Sequence, residues 1–251
     1  MERTWTAALA VIGDEILSGR TQDKNVAQVA AWLNEQGIRL AEVRIVPDDV
    51  GRIGETVNAL RAAYDYLFTT GGIGPTHDDI TVDAIAAAFQ VPVIVHPEAR
   101  AILEDYYRDR PGGLTEARLR MARVPEGAEL IPNPTSGAPG VKMENVFIMA
   151  GVPHIAASML EALTGKLEGG RPIVSVTVGA RAPESDVADL LRETEAAHPG
   201  VAIGSYPFFK DGGYGANFVI RSEDGDLARS TGEDLADRLR EAGYDPVAGG
   251  I

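Results

Sequence analysis

Residues 66–79 read YLFTTGGIGPTHDD. An apolar run enters a turn with three glycines, and the turn leaves through two aspartates. The run predicts a buried strand. Gly71, Gly72 and Gly74 lack Cβ atoms and tolerate positive φ, so successive backbone N–H groups can point into one concavity that holds an anion. A helix is expected to start near Asp79, with Val82, Ile85, Ala86 and Phe89 inward, and its free N–H groups would add to that site. Strand, glycine turn and helix in this order are the unit of a parallel α/β sheet.

The same alternation extends outward. Residues 5–12 form a small apolar strand ending in Gly13-Asp14-Glu15. A helix over 25–36 places Val26, Val29, Ala30 and Leu33 on one face, and Gly37 stops it. A second strand covers 38–46, and Ile53, Val57, Leu60 and Tyr64 mark the next helix. Beyond the glycine turn come a short apolar stretch at 91–95, a helix from Pro97 to about Arg108, a further helix over 114–123, a strand over 145–150, and a helix from Gly151-Val152-Pro153 to about Leu163. The expected fold class is therefore α/β, three layers α/β/α around a mixed, mostly parallel sheet, occupying residues 1–165. Residues 164–172, TGKLEGGRP, read as a linker. Residues 173–251 then alternate as β-α-β-β-α, a small α+β domain.

Bulk properties narrow the function. The chain has 251 residues, 45% hydrophobic and 24% charged, with formal net charge -14 and pI about 4.7. That field repels nucleic acid and anionic membranes, so neither is an expected partner. It also repels phosphate, so any phosphate site is built locally. With no cysteine there is no disulfide, thiolate metal site or Cys nucleophile. The N-terminus lacks a signal-peptide pattern and no stretch is long and apolar enough to span a bilayer, so a cytoplasmic location is expected.

In such sheets ligands bind beyond the carboxyl ends of the strands. Four loops there carry candidate residues. The first has Asp14, Glu15, Ser18 and Asn25. The second has Thr70, Gly71, Gly72, Gly74, Thr76, His77, Asp78 and Asp79. The third, NPTSGAPG at 133–140, has Ser136 and Gly137. The fourth has Gly151 and Pro153. Thr70 and Thr76 offer hydroxyls, and His77 offers a donor to a phosphate oxygen or a leaving group. Carboxylates beside phosphate repel it unless a cation lies between, and Mg²⁺ is held by one or two carboxylates plus phosphate oxygens and water. This makes Asp79 and Asp14 the candidate metal ligands, and Asp79, Asp78, Asp14 and Glu15 the candidate catalytic acids. Each has a plainer alternative: Asp79 as a helix cap, Asp14 and Glu15 as a solvated pair, His77 as an exposed loop residue. The cluster Arg118, Arg120 and Arg123 is expected to solvate a helix face.

The conjunction is more specific than its parts. GDEILSGRTQDKN at 13–25, TTGGIGPTHDD at 69–79, VPEGAELIPNP at 124–134 and the GVP turn at 151–153 occur in this order. Together they resemble the MoaB/Mog-type molybdopterin-binding domain, within it the branch of the CinA N-terminal domain, and more closely the molybdopterin-binding-like domain of eukaryotic FAD synthase. ESDVADLL at 184–191 and IGSYPFF at 203–209 resemble that subfamily too. The turn at 150–153 has Ala150 where many relatives carry Pro. The resemblance implies a nucleotide or pterin pocket with Gly71, Gly72 and Gly74 binding phosphate and Asp79 near metal or attacking water. It implies a metal-dependent pyrophosphatase acting on FAD or ADP-ribose with Mg²⁺, Mn²⁺ or Co²⁺. The alternatives are a non-catalytic molybdopterin or nucleotide binder, and an adenylyltransferase of molybdenum-cofactor biosynthesis. A homo-oligomer is expected. Ending at Ile251, the sequence is expected to carry neither an amidase nor a FAD-forming adenylyltransferase domain.

Overall fold

The computed structural model describes residues 3–251. The chain divides into two compact units, Met1–Gly170 and Arg171–Ile251.

The first unit opens with β1 (Trp5–Ile12), a single turn α1 (Asp14–Leu17), α2 (Asn25–Glu35), β2 (Ile38–Val46), α3 (Val50–Ala63), β3 (Tyr66–Thr70) and α4 (Thr81–Phe89). It continues with β4 (Val93–Val95), α5 (Pro97–Tyr107), α6 (Glu116–Leu119), a 3-10 turn (Arg120–Ala122), β5 (Arg123–Pro125), β6 (Glu129–Ile131), β7 (Gly140–Met143), β8 (Val146–Met149) and α7 (Pro153–Leu163). Its six-stranded sheet has the order β2-β1-β3-β8-β7-β6. β2, β1, β3 and β8 run parallel, β7 is reversed against β8, and β6, antiparallel to β7, runs in the direction of β8 again.

Alternation along β1 builds the layers. Ala8, Ala10 and Ile12 face one core with Ile53, Val57 and Leu60 of α3 and Ala84 and Ile85 of α4. Ala7, Leu9 and Val11 face the other with Val29 and Leu33 of α2 and Met159, Leu160 and Leu163 of α7. A strand apolar on both faces belongs in the middle of three layers. Phe68 and Phe147 stack across β3 and β8, ring centroids 4.9 Å apart.

The second unit is β9 (Val174–Ala180), α8 (Glu184–Ala197), β10 (Ala202–Lys210), β11 (Gly213–Ser222), α9 (Gly225–Glu241) and β12 (Val247–Ala248). Its antiparallel sheet has the order β10-β11-β9-β12. Val178, Ala180, Phe218 and Ile220 meet Val187 of α8 and Leu235 and Leu239 of α9 in its core. The terminal β12 is an addition to the expected β-α-β-β-α order.

Several expectations are corrected. α4 begins at Thr81, two residues late, because Thr81 is anchored before the helix turns: its N–H donates to Gly72 O and its hydroxyl to Gly71 O. The expected helix over 114–123 is a single turn plus a 3-10 turn, since pairing of Ile94 with Val124 draws the chain into β5. Most of the expected linker belongs to the first unit: Gly170 N–H donates to Gly37 O, and the Tyr66 hydroxyl to Glu168 O. The arginine cluster does not solvate one helix face. Arg123 pairs with Asp83, Arg118 donates to Pro111 O and lies over the Tyr107 ring, and Arg120 reaches toward Asp79 O. No helix among the described residues is long and apolar enough to cross a membrane.

Candidate functional site

The carboxyl ends of β1, β3 and β8 meet at one glycine. A Cβ on Gly71, at φ 105°, would lie 2.1 Å from Ile12 O, and a Cβ on Gly151 would lie 3.1 Å from Gly71 Cα. Gly71 N–H donates to Met149 O. Gly72, at φ 66°, is constrained from the other side, its imagined Cβ falling 2.1 Å from the Thr81 hydroxyl. The Ile12 carbonyl at Gly71 and the Thr81 hydroxyl at Gly72 leave no room for a side chain, so the two glycines join three strands and a helix in one turn. Gly74 is different. Its φ is not positive, but a Cβ there would stand 2.7 and 3.0 Å from the two Asp79 carboxylate oxygens.

Gly13 repeats the arrangement on the neighbouring loop. Its N–H donates to Val46 O, and a Cβ there would meet the Glu15 carboxylate at 2.5 Å. Each acidic loop thus folds a carboxylate over a glycine. Asn25, buried at the start of α2, holds the first loop against the fourth by donating from Nδ2 to Gly151 O at 2.8 Å. Gln28 adds a bond to Pro153 O at 3.0 Å.

Between these loops lies a cleft of about 510 Å³. Of the residues expected at the site, Glu15, Gly71, Gly72, Gly74, Asp79, Ser136, Gly151 and Pro153 line it. Thr70 and Asn25 instead line an adjoining recess of about 60 Å³, into which Glu15 also faces. The Thr70 hydroxyl there is buried and makes no hydrogen bond. Asp14, Ser18, Thr76, His77, Asp78 and Gly137 do not line the cleft. Residues 75–78 form an exposed turn, and the His77 side chain is 99% exposed. Thr76 serves Asp79, whose Oδ2 accepts its N–H at 2.7 Å and its hydroxyl. Hydrogen bonding from Thr76 and from its own backbone N–H holds the Asp78 carboxyl below the usual carboxylate range. Asp14 is exposed, and its N–H donates to Asp48 Oδ2. The Ser18 hydroxyl donates to Glu15 O, and Gly137 packs on the Tyr106 ring.

The structure therefore brings Glu15 and Asp79 to one cleft and leaves Asp14 outside its lining. Among the described residues no three His, Asp or Glu side chains gather around one point. The sequence reading missed the apolar wall, made by Tyr107, Met121, Val152, Ile155 and Met159. Met121 adjoins the VPEGAELIPNP stretch, which gave a signal that the segment matters. Tyr107, at the end of α5, gave none. α7 starts in this wall at Pro153 with no side-chain cap on its N–H groups.

Glycine turns, a helix start without a side-chain cap and two carboxylates surround one cleft at the carboxyl ends of the strands, the place where α/β domains take small ligands. The chain belongs to the probable molybdopterin binding domain family, which it matches over residues 8–168, and residues 172–247 match the FAD synthase middle domain. A protein of Aeropyrum pernix is 36% identical over 218 residues, 82% of this chain and 81% of that protein. A CinA-like protein of Desulfosudis oleivorans is 34% identical over 79% of this chain but only 51% of its own length. Among solved structures, the protein CinA with unknown function from Thermoplasma acidophilum is 30% identical, with TM-score 0.60, covering 65% of this chain and 98% of that one. These likenesses support the CinA branch of the family.

Proposed function

We propose that this chain is a metal-dependent hydrolase of a nucleotide diphosphate bond, with FAD or ADP-ribose as substrate class. The observation that carries the reading is that Glu15 and Asp79 both line a cleft that Gly71, Gly72 and Gly74 also line. The backbone N–H groups of Gly72, Ile73 and Gly74 and of the start of α7 would bind phosphate oxygens. The apolar wall of Tyr107, Met121, Ile155 and Met159 would take a flat ring.

Two carboxylates fit a divalent cation that draws its other ligands from phosphate oxygens and water. Glu15 and Asp79 would hold it, which moves the second carboxylate from Asp14 to Glu15. When bound, the ion supplies positive charge to the developing phosphorane and lowers the pKa of water. Asp79, fixed by Thr76, orients the attacking water. Its oxygen bonds to phosphorus, the P–O bond to the bridging oxygen breaks, and the water's proton leaves to solvent or to the departing phosphate. The products are AMP and FMN from FAD, or AMP and ribose 5-phosphate from ADP-ribose. Release of AMP from either compound with Mg²⁺, Mn²⁺ or Co²⁺ tests this. No AMP under any of these ions refutes it.

A second reading, a molybdopterin or nucleotide binder without turnover, is favoured by one observation. Asp79 Oδ2 is already occupied by Thr76, so this carboxylate has a structural task. That reading predicts thermal stabilisation by ligand with no product.

A further inference from the structure

We infer that Ser136, oriented by the buried Asn133, is the hydrogen-bond donor that reads the adenine ring of the ligand; this deepens the nucleotide-diphosphate reading above and rests on it.

Asn133 and Ser136 belong to the loop between β6 and β7. Asn133 is 6% exposed, and every polar atom of its side chain is used. Nδ2 donates to Ser136 Oγ at 2.6 Å and to Ala138 O at 2.7 Å. Oδ1 accepts from the N–H groups of Thr135 and Ser136 at 3.2 and 3.4 Å. An amide nitrogen has two hydrogens, so both are spent, whereas a hydroxyl has one hydrogen and two lone pairs. Asn133 fills one lone pair of Ser136, so the Ser136 hydrogen has to point elsewhere. Among the described residues no acceptor takes it, and Ser136 lines the main cleft. A bound ligand is the acceptor that this donor lacks.

The loop is seated on the apolar wall. Gly137, at φ 75°, presses on the Tyr106 ring, where a Cβ would fall 2.5 Å from Cγ. Tyr106 meets Tyr107 edge to face, ring centroids 5.0 Å apart. Ala138 packs in the same apolar cluster as Tyr107 and Met121, and these three line the cleft with Ser136. An apolar wall takes a flat ring by area, and a few placed polar groups fix which ring and which way round. Phosphate oxygens have the N–H groups of the glycine turn and of α7, so Ser136 falls to the ring. Adenine is the ring that FAD and ADP-ribose share, and its ring nitrogens are acceptors. A ring without an acceptor there would leave the donor unpaired, and such sites reject those ligands strongly.

The test is titration calorimetry with Mg²⁺ on the whole chain and on Ser136→Ala, Asn133→Asp and the double variant. Two non-hydrolysable probes are compared: the methylene-bridged analogue of ADP-ribose, and the same methylene-bridged diphosphate with ribose at both ends, which lacks only adenine. Expected in Ser136→Ala is a loss of about tenfold on the first probe and less than about twofold on the second. In Asn133→Asp the carboxylate accepts the Ser136 hydrogen and turns the donor away from the cleft. The same selective loss is expected there, with no further loss in the double variant, a non-additivity that a merely structural asparagine would not give. Equal losses on both probes, or no loss in Ser136→Ala, overturn the inference. Additive losses in the double variant overturn the positioning role of Asn133. Thermal unfolding reports whether Asn133→Asp folds, and where it does not, Ser136→Ala decides alone. If the unaltered chain binds both probes equally, this inference falls and the reading above stands; if it binds neither, both fall.

Discussion

The loops after β1 and β3 are built alike and used differently. Each leaves its strand through a glycine with positive φ, and each lays a carboxylate over a glycine: Glu15 over Gly13, Asp79 over Gly74. In the loop after β3 the carboxylate is tied, with Thr76 donating twice to Asp79. In the loop after β1 the bonds go to the backbone instead, Thr21 N–H and the Ser18 hydroxyl to Glu15 O. One acid is fixed by its side chain, the other only by the path of its chain. A fixed acid suits orienting water, and one whose carboxylate no side chain ties suits joining a ligand that brings its own charge. Adjacent acids in sequence, Asp14 and Glu15 or Asp78 and Asp79, thus separate into one that lines the cleft and one that does not.

This contrast can be broken at its glycines first. Gly71→Ala adds a Cβ against the carbonyl of Ile12 at positive φ, where backbone must move, and should cost about 3 kcal/mol of stability by chemical denaturation. Unchanged stability would show that the junction of the strands yields. Next is the fixed acid. Asp79→Asn should lower diphosphate hydrolysis by about 100-fold with little change in substrate binding, measured as kcat against KM. Gly74→Ala should follow at about tenfold, because its Cβ displaces the Asp79 carboxylate without disturbing the strands. Asp14→Asn should change activity by less than about twofold, and a larger loss would return Asp14 to the site.

A modest, pH-dependent effect is expected at the opposite end of β3. Burial raises the Asp65 pKa, but the Thr6 N–H, the Thr6 hydroxyl and Arg3 outweigh it and hold the carboxyl below its usual value. A carboxyl depressed in the folded state contributes stability above its unfolded pKa and loses it as pH falls through the folded value. Asp65→Asn should therefore cost about 1 kcal/mol at pH 7 and nothing once the pH lies below that folded value. Denaturation midpoints across pH 2–7 read this directly. A cost that persists at the acid end would mean that shape, not charge, holds the first residues of β1 to the start of β3.

Legibility followed whether a residue's reason was local. β1 was readable because the unbroken apolar run at residues 7–12 suits a strand covered on both faces. Gly71 and Gly72 were readable because a glycine pair after a strand has few other uses. Residues 114–123 were misread because the helical pattern was local, while the pairing that ends it, Ile94 with Val124, spans the chain. β7 went unread because its turn into β8 places Glu144 at φ 52°, a position where a glycine would have signalled. The choice of Glu15 over Asp14 had no sequence signal, since it depends on the turn of α1. Arg120 looked like surface charge, but the 3-10 turn brings it toward the Asp79 carbonyl.

The most direct measurement is AMP release from ADP-ribose by the whole chain and by Asp79→Asn, with Mg²⁺, Mn²⁺ and Co²⁺ in parallel. Many turnovers per chain are expected with at least one of these ions, and about a 100-fold drop in the variant. Ligand binding without product, or turnover that Asp79→Asn leaves intact, would contradict it.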